Sequence, residues 1–231
     1  MRYKFSAELS LSFCLIVVFL YEFFNCQNIC EKRELATYKS EIIKNNSYLY
    51  SHHYNYSMRV RLDQSHPVVK GIFNTFQSDR TVTPKFPFEY FERPVKYLRV
   101  LYDRRIIVEG ETQLGQIRFT GIDHDIYEFK VLDTQELIAA KWSIIASEDD
   151  TLIRANITCL IHPSGKISIY FEDVPTKINE SLQVAFIRGT IFCEKHRDMD
   201  KKGVEIHVPK ELIKSRTLAE FETIGSMLNL I

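Results

Sequence analysis

Cysteine, glycine and unbalanced charge are all scarce in this 231-residue chain. Thirty basic residues cancel thirty acidic ones, which removes the electrostatic case for a nucleic acid or an anionic membrane surface as partner. The basic pairs Arg104-Arg105 and Lys201-Lys202 are flanked by acids and read as solvated surface. The eight glycines are scattered, and G-x-x-x-x-G-K-[ST], G-x-S-x-G and H-E-x-x-H are all missing. Heptads, internal repeats and low-complexity tracts are missing as well. Metal ligands do not gather convincingly. In Asp123-His124-Asp125, adjacent strand residues cannot converge on one ion, so the run reads as a turn. His52 and His53 point oppositely if extended, and His162 belongs to a turn. Asp149-Asp150 and Glu172-Asp173 read as solvated loop acids, since calcium takes about six to eight converging oxygens. No cofactor, metal or catalytic residue is implied, and the expectation is a protein that is not an enzyme.

What is present is core material. Hydrophobic residues make up 45% of the chain, with 16 Phe and 12 Tyr, enough for one packed domain plus tails. Arg2 and Lys4 precede an apolar run, Leu9 to Leu20, of signal-peptide rather than membrane-span length. Cleavage is expected between Asn25 and Asn28. Phe24-Asn25-Cys26 lacks the usual small-residue pattern, which keeps an uncleaved signal-anchor open. The division is therefore a signal over 1–26, a charged lead-in over 27–44 (a short helix or an unstructured segment), a β domain over 45–224 and a tail over 225–231.

Export changes the meaning of the five cysteines. Cys14 leaves with the signal, and if Cys26 leaves too, the odd set Cys30, Cys159 and Cys193 remains. Cys159–Cys193 is a candidate bridge in the oxidising secretory pathway, with Cys30 then free or intermolecular. The alternative left open is Cys159 as a small buried hydrophobe without a partner.

The strongest local pattern runs from Arg154 to Pro175. Two alternating apolar segments flank His162-Pro163-Ser164-Gly165, which predicts a β-hairpin. Ile157, Cys159 and Ile161 share one face and Asn156, Thr158 and Leu160 the other, so the hairpin is expected to be half-buried. Asn156-Ile157-Thr158 is an N-glycosylation acceptor on the face opposite the core. Asn45, Asn55 and Asn179 head three more, where chance gives roughly one in such a chain.

Further strands are predicted over 58–62, 95–102, 105–108, 116–119, 126–132, 137–145, 182–187 and 204–208, with turns at Glu109-Gly110, Asp133-Thr134 and Glu148-Asp149-Asp150. Short strands at this spacing predict an all-β antiparallel sandwich or barrel. Lys85 to Phe91 is dense in aromatics but broken by prolines, placing it at a sheet edge or the start of a strand. If residues 45–57 are extended, Tyr48, Tyr50, Tyr54 and Tyr56 share a face with His52, either as an aromatic binding strip or as core packing.

These residues resemble a family. F-P-F-E-Y-F (86–91), V-K-Y-L-R-V (95–100) and R-I-I-V-E-G-E (105–111) are similar to the F-P-F-Y-G-x-x-L region of plexin domain-containing proteins, also called tumour endothelial marker 7-related proteins. I-A-A-K-W-S (138–143) resembles the family's V-V-Q-W-D strand, and Ile157 to Pro175 its D-G-R-I hairpin ending in I-P. Gly71-Ile72 with Asn74-Thr75 resembles its G-I-L-S-N-T element, and Val204 to Thr223 the segment that closes its domain. The resemblance implies a nidogen-like β-sandwich used for extracellular binding. Family members continue into a plexin-semaphorin-integrin module and a transmembrane helix, neither of which follows here up to Ile231, so the resemblance implies a divergent or truncated secreted member or an incomplete gene product.

The expected function is a secreted, N-glycosylated, non-enzymatic module that binds an extracellular protein or matrix partner. Candidate contacts are Tyr48, Tyr50, Tyr54 and Tyr56 and the loops at Phe86–Phe91 and Asp123–Asp125. Two alternatives stand beside it: a membrane-tethered accessory protein held by Leu9 to Leu20, and a secreted hydrolase with dispersed acids.

Overall fold

The computed structural model describes residues 38–44, 47–52, 56–120, 125–148, 151–174, 184–195 and 198–223, and the side chains of most of these. Seventeen strands occur among them: β1 (Tyr38–Lys44), β2 (Ser47–His52), β3 (Tyr56–Arg61), β4 (Asn74–Phe76), β5 (Arg80–Val82), β6 (Glu89–Tyr90), β7 (Arg93–Pro94), β8 (Tyr97–Leu101), β9 (Arg105–Glu109), β10 (Gln113–Thr120), β11 (Asp125–Asp133), β12 (Ile138–Glu148), β13 (Thr151–Ile161), β14 (Ile167–Phe171), β15 (Val184–Lys195), β16 (Asp198–His207) and β17 (Thr217–Thr223). The described residues contain no α-helix, only a 3-10 turn at Lys210–Leu212. Nine strands form one antiparallel sheet in the order β1-β2-β3-β17-β14-β13-β12-β11-β4, and six form another in the order β16-β15-β10-β9-β8-β5. The fold is an all-β sandwich, as the strand spacing predicts. Tyr38–Lys44 departs from the expectation of a helix or unstructured lead-in, because it pairs with β2 and so begins the sheet before Asn45.

Alternation within each strand builds the core. On the nine-stranded sheet, register aligns Phe129, Trp142, Ile157, Phe171 and Thr217 in one row, and Val131, Ala140, Cys159, Ile169, Ala219 and Val60 in the next; all are buried. Val100, Ile106, Ile117, Ile187 and Ile206 form the facing row of the six-stranded sheet. The sheets meet at Trp142. Its ring lies 5.3 Å from Phe119 of the opposite sheet, and its Nε1 donates to the Leu101 carbonyl, also opposite, at 3.2 Å. Burying an aromatic of this size removes about 150–250 Å² from water, worth about 4–6 kcal/mol by area. The indole N–H would cancel part of that if left unpaired, and the Leu101 carbonyl prevents it.

The central hairpin forms where expected, with β13 and β14 paired from Ile157↔Phe171 to Ile161↔Ile167. Its turn is closed by the Gly165 N–H donating to the His162 carbonyl at 2.9 Å, with Pro163 second and Gly165 at φ +81°. That is a type I turn followed by a left-handed residue, which glycine adopts without strain. The expectation of a half-buried hairpin is corrected, because every residue of β14 is buried. Residues 63–73 cross the outer face of this sheet. The Tyr170 hydroxyl donates to the Gln64 carbonyl at 2.9 Å, His66 stands edge-on to Tyr170, and Val69 and Phe73 pack with Leu137 on Leu132, Ala139 and Leu160. The strand period reports only which residues share a face, so a covering loop turns a polar face into a second buried one.

The aromatic segment after Lys85 stands at the start of a strand, one of the two places expected for it, and its aromatic side chains turn inward. It folds into the β6–β7 hairpin, whose two-residue turn Phe91-Glu92 has φ of 49° and 60°. Phe86, Phe88, Tyr90 and Phe91 are all buried. The Tyr90 hydroxyl donates to the Arg188 and Gln116 carbonyls at 2.9 and 3.1 Å, while the Phe91 ring lies 4.7 Å from Tyr56 of the other sheet. Two positive φ values on non-glycine residues cost about 1–2 kcal/mol each. Burial of one phenyl ring returns about as much, so the turn is held by what its side chains reach.

Space for those rings comes from Gly115 and Gly189, which oppose one another in register. A Cβ on Gly189 would overlap the Phe91 ring; one on Gly115 would overlap the Arg188 carbonyl oxygen and come within 2.8 Å of the Tyr90 ring. Gly115→Ala should therefore lower stability by about 2–3 kcal/mol or more. Gly203→Ala, whose nearest neighbour is the flexible tip of Arg188 at 3.4 Å, should change it by less than about 0.5 kcal/mol. Urea unfolding midpoints of both variants check this, and equal midpoints would contradict the packing.

Candidate binding cleft

β4 and β5 are edge strands of opposite sheets, separated by residues 77–79 only. The chain changes sheet here and leaves the gap between the sheets open along this side. The opening is a cleft of about 320 Å³, with Asn74, Phe76, Val131 and Asp133 on the nine-stranded wall and residues 80–83 with Lys85 on the other. Register places Asn74 beside Val131 and Phe76 beside Phe129, so the wall continues the core rows outward and becomes polar as it does. Its size is at the small end of ligand sites, which run about 300–1,000 Å³.

The cleft's charges are few and fixed. The Arg80 guanidinium lies 5.2 Å from the centre of the Phe76 ring, a cation–π distance. Lys85 Nζ donates to the Asp133 carbonyl at 2.8 Å and lies 3.3 Å from Asp133 Oδ2. Asp133 Oδ1 is buried without a hydrogen-bond partner among the described residues. Two cations thus face one carboxylate, whose accessible oxygen is already engaged. The lining holds a single carboxylate, where acid–base glycoside hydrolysis uses a pair. Ile72 stands two residues before β4, and both it and Val68 are largely in solvent, at 85% and 89% exposure.

A second polar group lies on the outer face of the nine-stranded sheet. Glu220 takes Arg61 at 2.9 Å and also pairs with Lys166, which reaches Glu222 at 3.1 Å. Ser168 Oγ lies 3.5 Å from His162 Nε2. Burial, reinforced by Lys166, depresses the His162 imidazole against the pull of Glu220 and Glu222. Burial lowers the Lys166 ammonium too, but its bonds to Glu220 and Glu222 outweigh that and hold it above its ordinary value. Ser168 is only 3% exposed, so this Ser–His contact offers no approach to a substrate; it lies within the β13–β14 hairpin, between the turn and β14.

The residues singled out in the sequence scatter. Tyr56 is 1% exposed and its hydroxyl accepts the Phe91 N–H at 3.3 Å, so it is core and not a contact. Tyr48 is half-buried opposite Val60, Tyr50 pairs with Met58, and Tyr54 lies outside the described residues. Between Phe86 and Phe91 the aromatic residues are buried and Pro87 and Glu89 are exposed; Asp125 opens β11, while residues 121–124 and 149–150 lie outside. Asn45, Asn55 and Asn179 also lie outside; Asn156 is half-buried, its Oδ1 accepting from Ser143 at 2.7 Å. Among the described residues no cluster of three or more His, Cys, Asp or Glu could hold a metal, and no helix is long and apolar enough to cross a membrane. Nothing in the sequence marks Arg80, Lys85 and Asp133 as one site, because β4 and β5 are too short to show a period and the three residues meet through topology. No family model, characterised protein or solved structure matches the chain.

The two cysteines of the candidate bridge lie on different sheets. Cys159 is a free thiol, buried in the middle of the nine-stranded sheet between Ala140 and Ile169. Cys193 belongs to the other sheet, on a stretch of β15 beyond Gly189 that pairs with β16 after the β10 register has ended. Burial pushes the Cys159 thiol far above its ordinary value, which leaves little thiolate at neutral pH. Iodoacetamide should leave Cys159 unmodified in the native protein and modify it in denaturant without any reductant. Peptide mass spectrometry decides this, and a requirement for reductant would restore the bridge.

Proposed function

We propose that this chain is a secreted, N-glycosylated, non-enzymatic module that binds an extracellular protein or matrix partner, related to the nidogen-like ectodomain of plexin domain-containing proteins. The observation that carries the binding reading is the open, edge-lined cleft between β4 and β5. An open cleft walled by strand edges suits a macromolecular partner better than a small substrate that must be enclosed. Support for export comes from the apolar run at Leu9 to Leu20 and from four acceptor triplets. Asn156 stands on the sheet's outer face, away from the Ile157 row, which is compatible with a sugar attached there.

Expression in animal cells with a C-terminal tag tests this. Tagged protein should collect in the medium and lose mass on N-glycosidase treatment. Thr158→Val sharpens the test, because the Thr158 hydroxyl is buried with no hydrogen-bond partner among the described residues. Removing an unsatisfied hydroxyl should leave stability unchanged or raise it by about 1 kcal/mol, while the Asn156 acceptor is lost. The expected outcome is a secreted variant lighter by one glycan. Unglycosylated protein kept in the cytosol would sink the reading.

A further inference from the structure

We infer that the cleft between β4 and β5 is a strand-addition site for an extended, acidic segment of a partner protein. This rests on the binding-module reading and names the place and chemistry of contact. Four observations carry it.

First, among the described residues both walls end in unpaired edges, where β5 pairs only with β8 and β4 only with β11. An antiparallel strand bonded on one side leaves alternate N–H and C=O groups pointing away from its neighbour, and these are what an added strand takes up. Second, these edges lack the protection seen on the opposite side of the sandwich. There the edge strand of the six-stranded sheet, β16, runs for ten residues and exposes Glu205, paired with Arg188 of β15 at 3.4 Å, and charged side chains along an edge discourage pairing. β5 offers Arg80, Thr81 and Val82, a single charge that is folded onto Phe76. Third, the charge is one-sided. Lys85 occupies the accessible oxygen of Asp133, so Arg80 is the cation left to meet a ligand. Fourth, register sets what would lie where. Arg80 and Val82 share one face of β5, and Val82 is buried. Every second side chain of a strand laid along β5 would turn into the cleft on that face, next to Arg80 and the Phe76 ring. Carboxylates at that spacing meet the guanidinium, which holds a planar carboxylate with two parallel hydrogen bonds.

Binding of a twelve-residue peptide alternating Glu and Val to the full-length chain tests this by fluorescence anisotropy. A Lys–Val peptide of the same length is the charge control, and a Glu–Val peptide N-methylated at alternate residues is the backbone control. The Glu–Val peptide should bind, and the Lys–Val and N-methylated peptides should bind at least tenfold more weakly. The double variant Arg80→Glu/Lys85→Glu should reverse the preference, taking Lys–Val over Glu–Val, an outcome that mere unfolding cannot produce. Absence of Glu–Val binding at millimolar concentration, or binding indifferent to N-methylation, overturns strand addition. Retained preference for Glu–Val in the double variant overturns the assignment to this cleft. If the chain fails to be exported yet binds as described, the extracellular reading falls and the site stands; if it is exported and glycosylated yet ignores the peptides, the reverse holds.

Discussion

The sandwich depends on one insertion, the Tyr90-Phe91 corner of the β6–β7 hairpin wedged between its sheets. Tyr90 hydrogen-bonds two carbonyls of the six-stranded sheet, and Phe91 packs on Tyr56 of the nine-stranded one. The corner fits only because Gly115 and Gly189 bring no side chains to the same spot. Burial, with Tyr56 alongside, pushes the Tyr90 phenol well above its ordinary value, so its hydroxyl remains a donor. The strained turn, the two glycines and the paired carbonyls form one unit. Each alone is unfavourable, and together they close the core.

With that corner closed, the opposite side of the sandwich can stay open. Edge strands invite unwanted pairing, and this fold deals with them unequally. β16 is long and charged, while β4 and β5 are three residues each. Short edges limit aggregation without removing the capacity to pair. Trp142, bonded across to Leu101, holds the sheets together behind the cleft, so the walls are set by the core and not by loops. A site built on such walls is preorganised, which reduces what a partner must spend in ordering it.

Much of this was legible in the sequence, and the omissions share a cause. β3, β8, β9, β11, β12 and the β13–β14 hairpin are long enough to display alternation, and they lie where the residues placed them. The second covering of the β14 face was not legible, because nothing local announces that residues 63–73 will lie across Tyr170 and Leu160. The wedge was hidden for a similar reason. Prolines around Phe86 to Phe91 point correctly away from a central strand, but burial there is set by two glycines distant in sequence, one of them nearly a hundred residues later. Strand parity makes Cys159 legible as a core residue, but whether its thiol has a partner depends on how the two sheets lie. The cleft was least legible of all, since Asn74, Arg80, Lys85 and Asp133 meet through topology alone.

A double-mutant cycle between Gly189 and Phe91, read from urea unfolding of the two single variants and the double, measures the wedge directly. Gly189→Ala puts a methyl where the Phe91 ring sits, and Phe91→Ala vacates that place. If the ring fills the space over Gly189, the second change relieves the first, and the double variant is more stable than the sum of the singles by at least about 1 kcal/mol. Losses that add to within about 0.5 kcal/mol would mean that the two residues do not share that space, and the wedge would have to be abandoned.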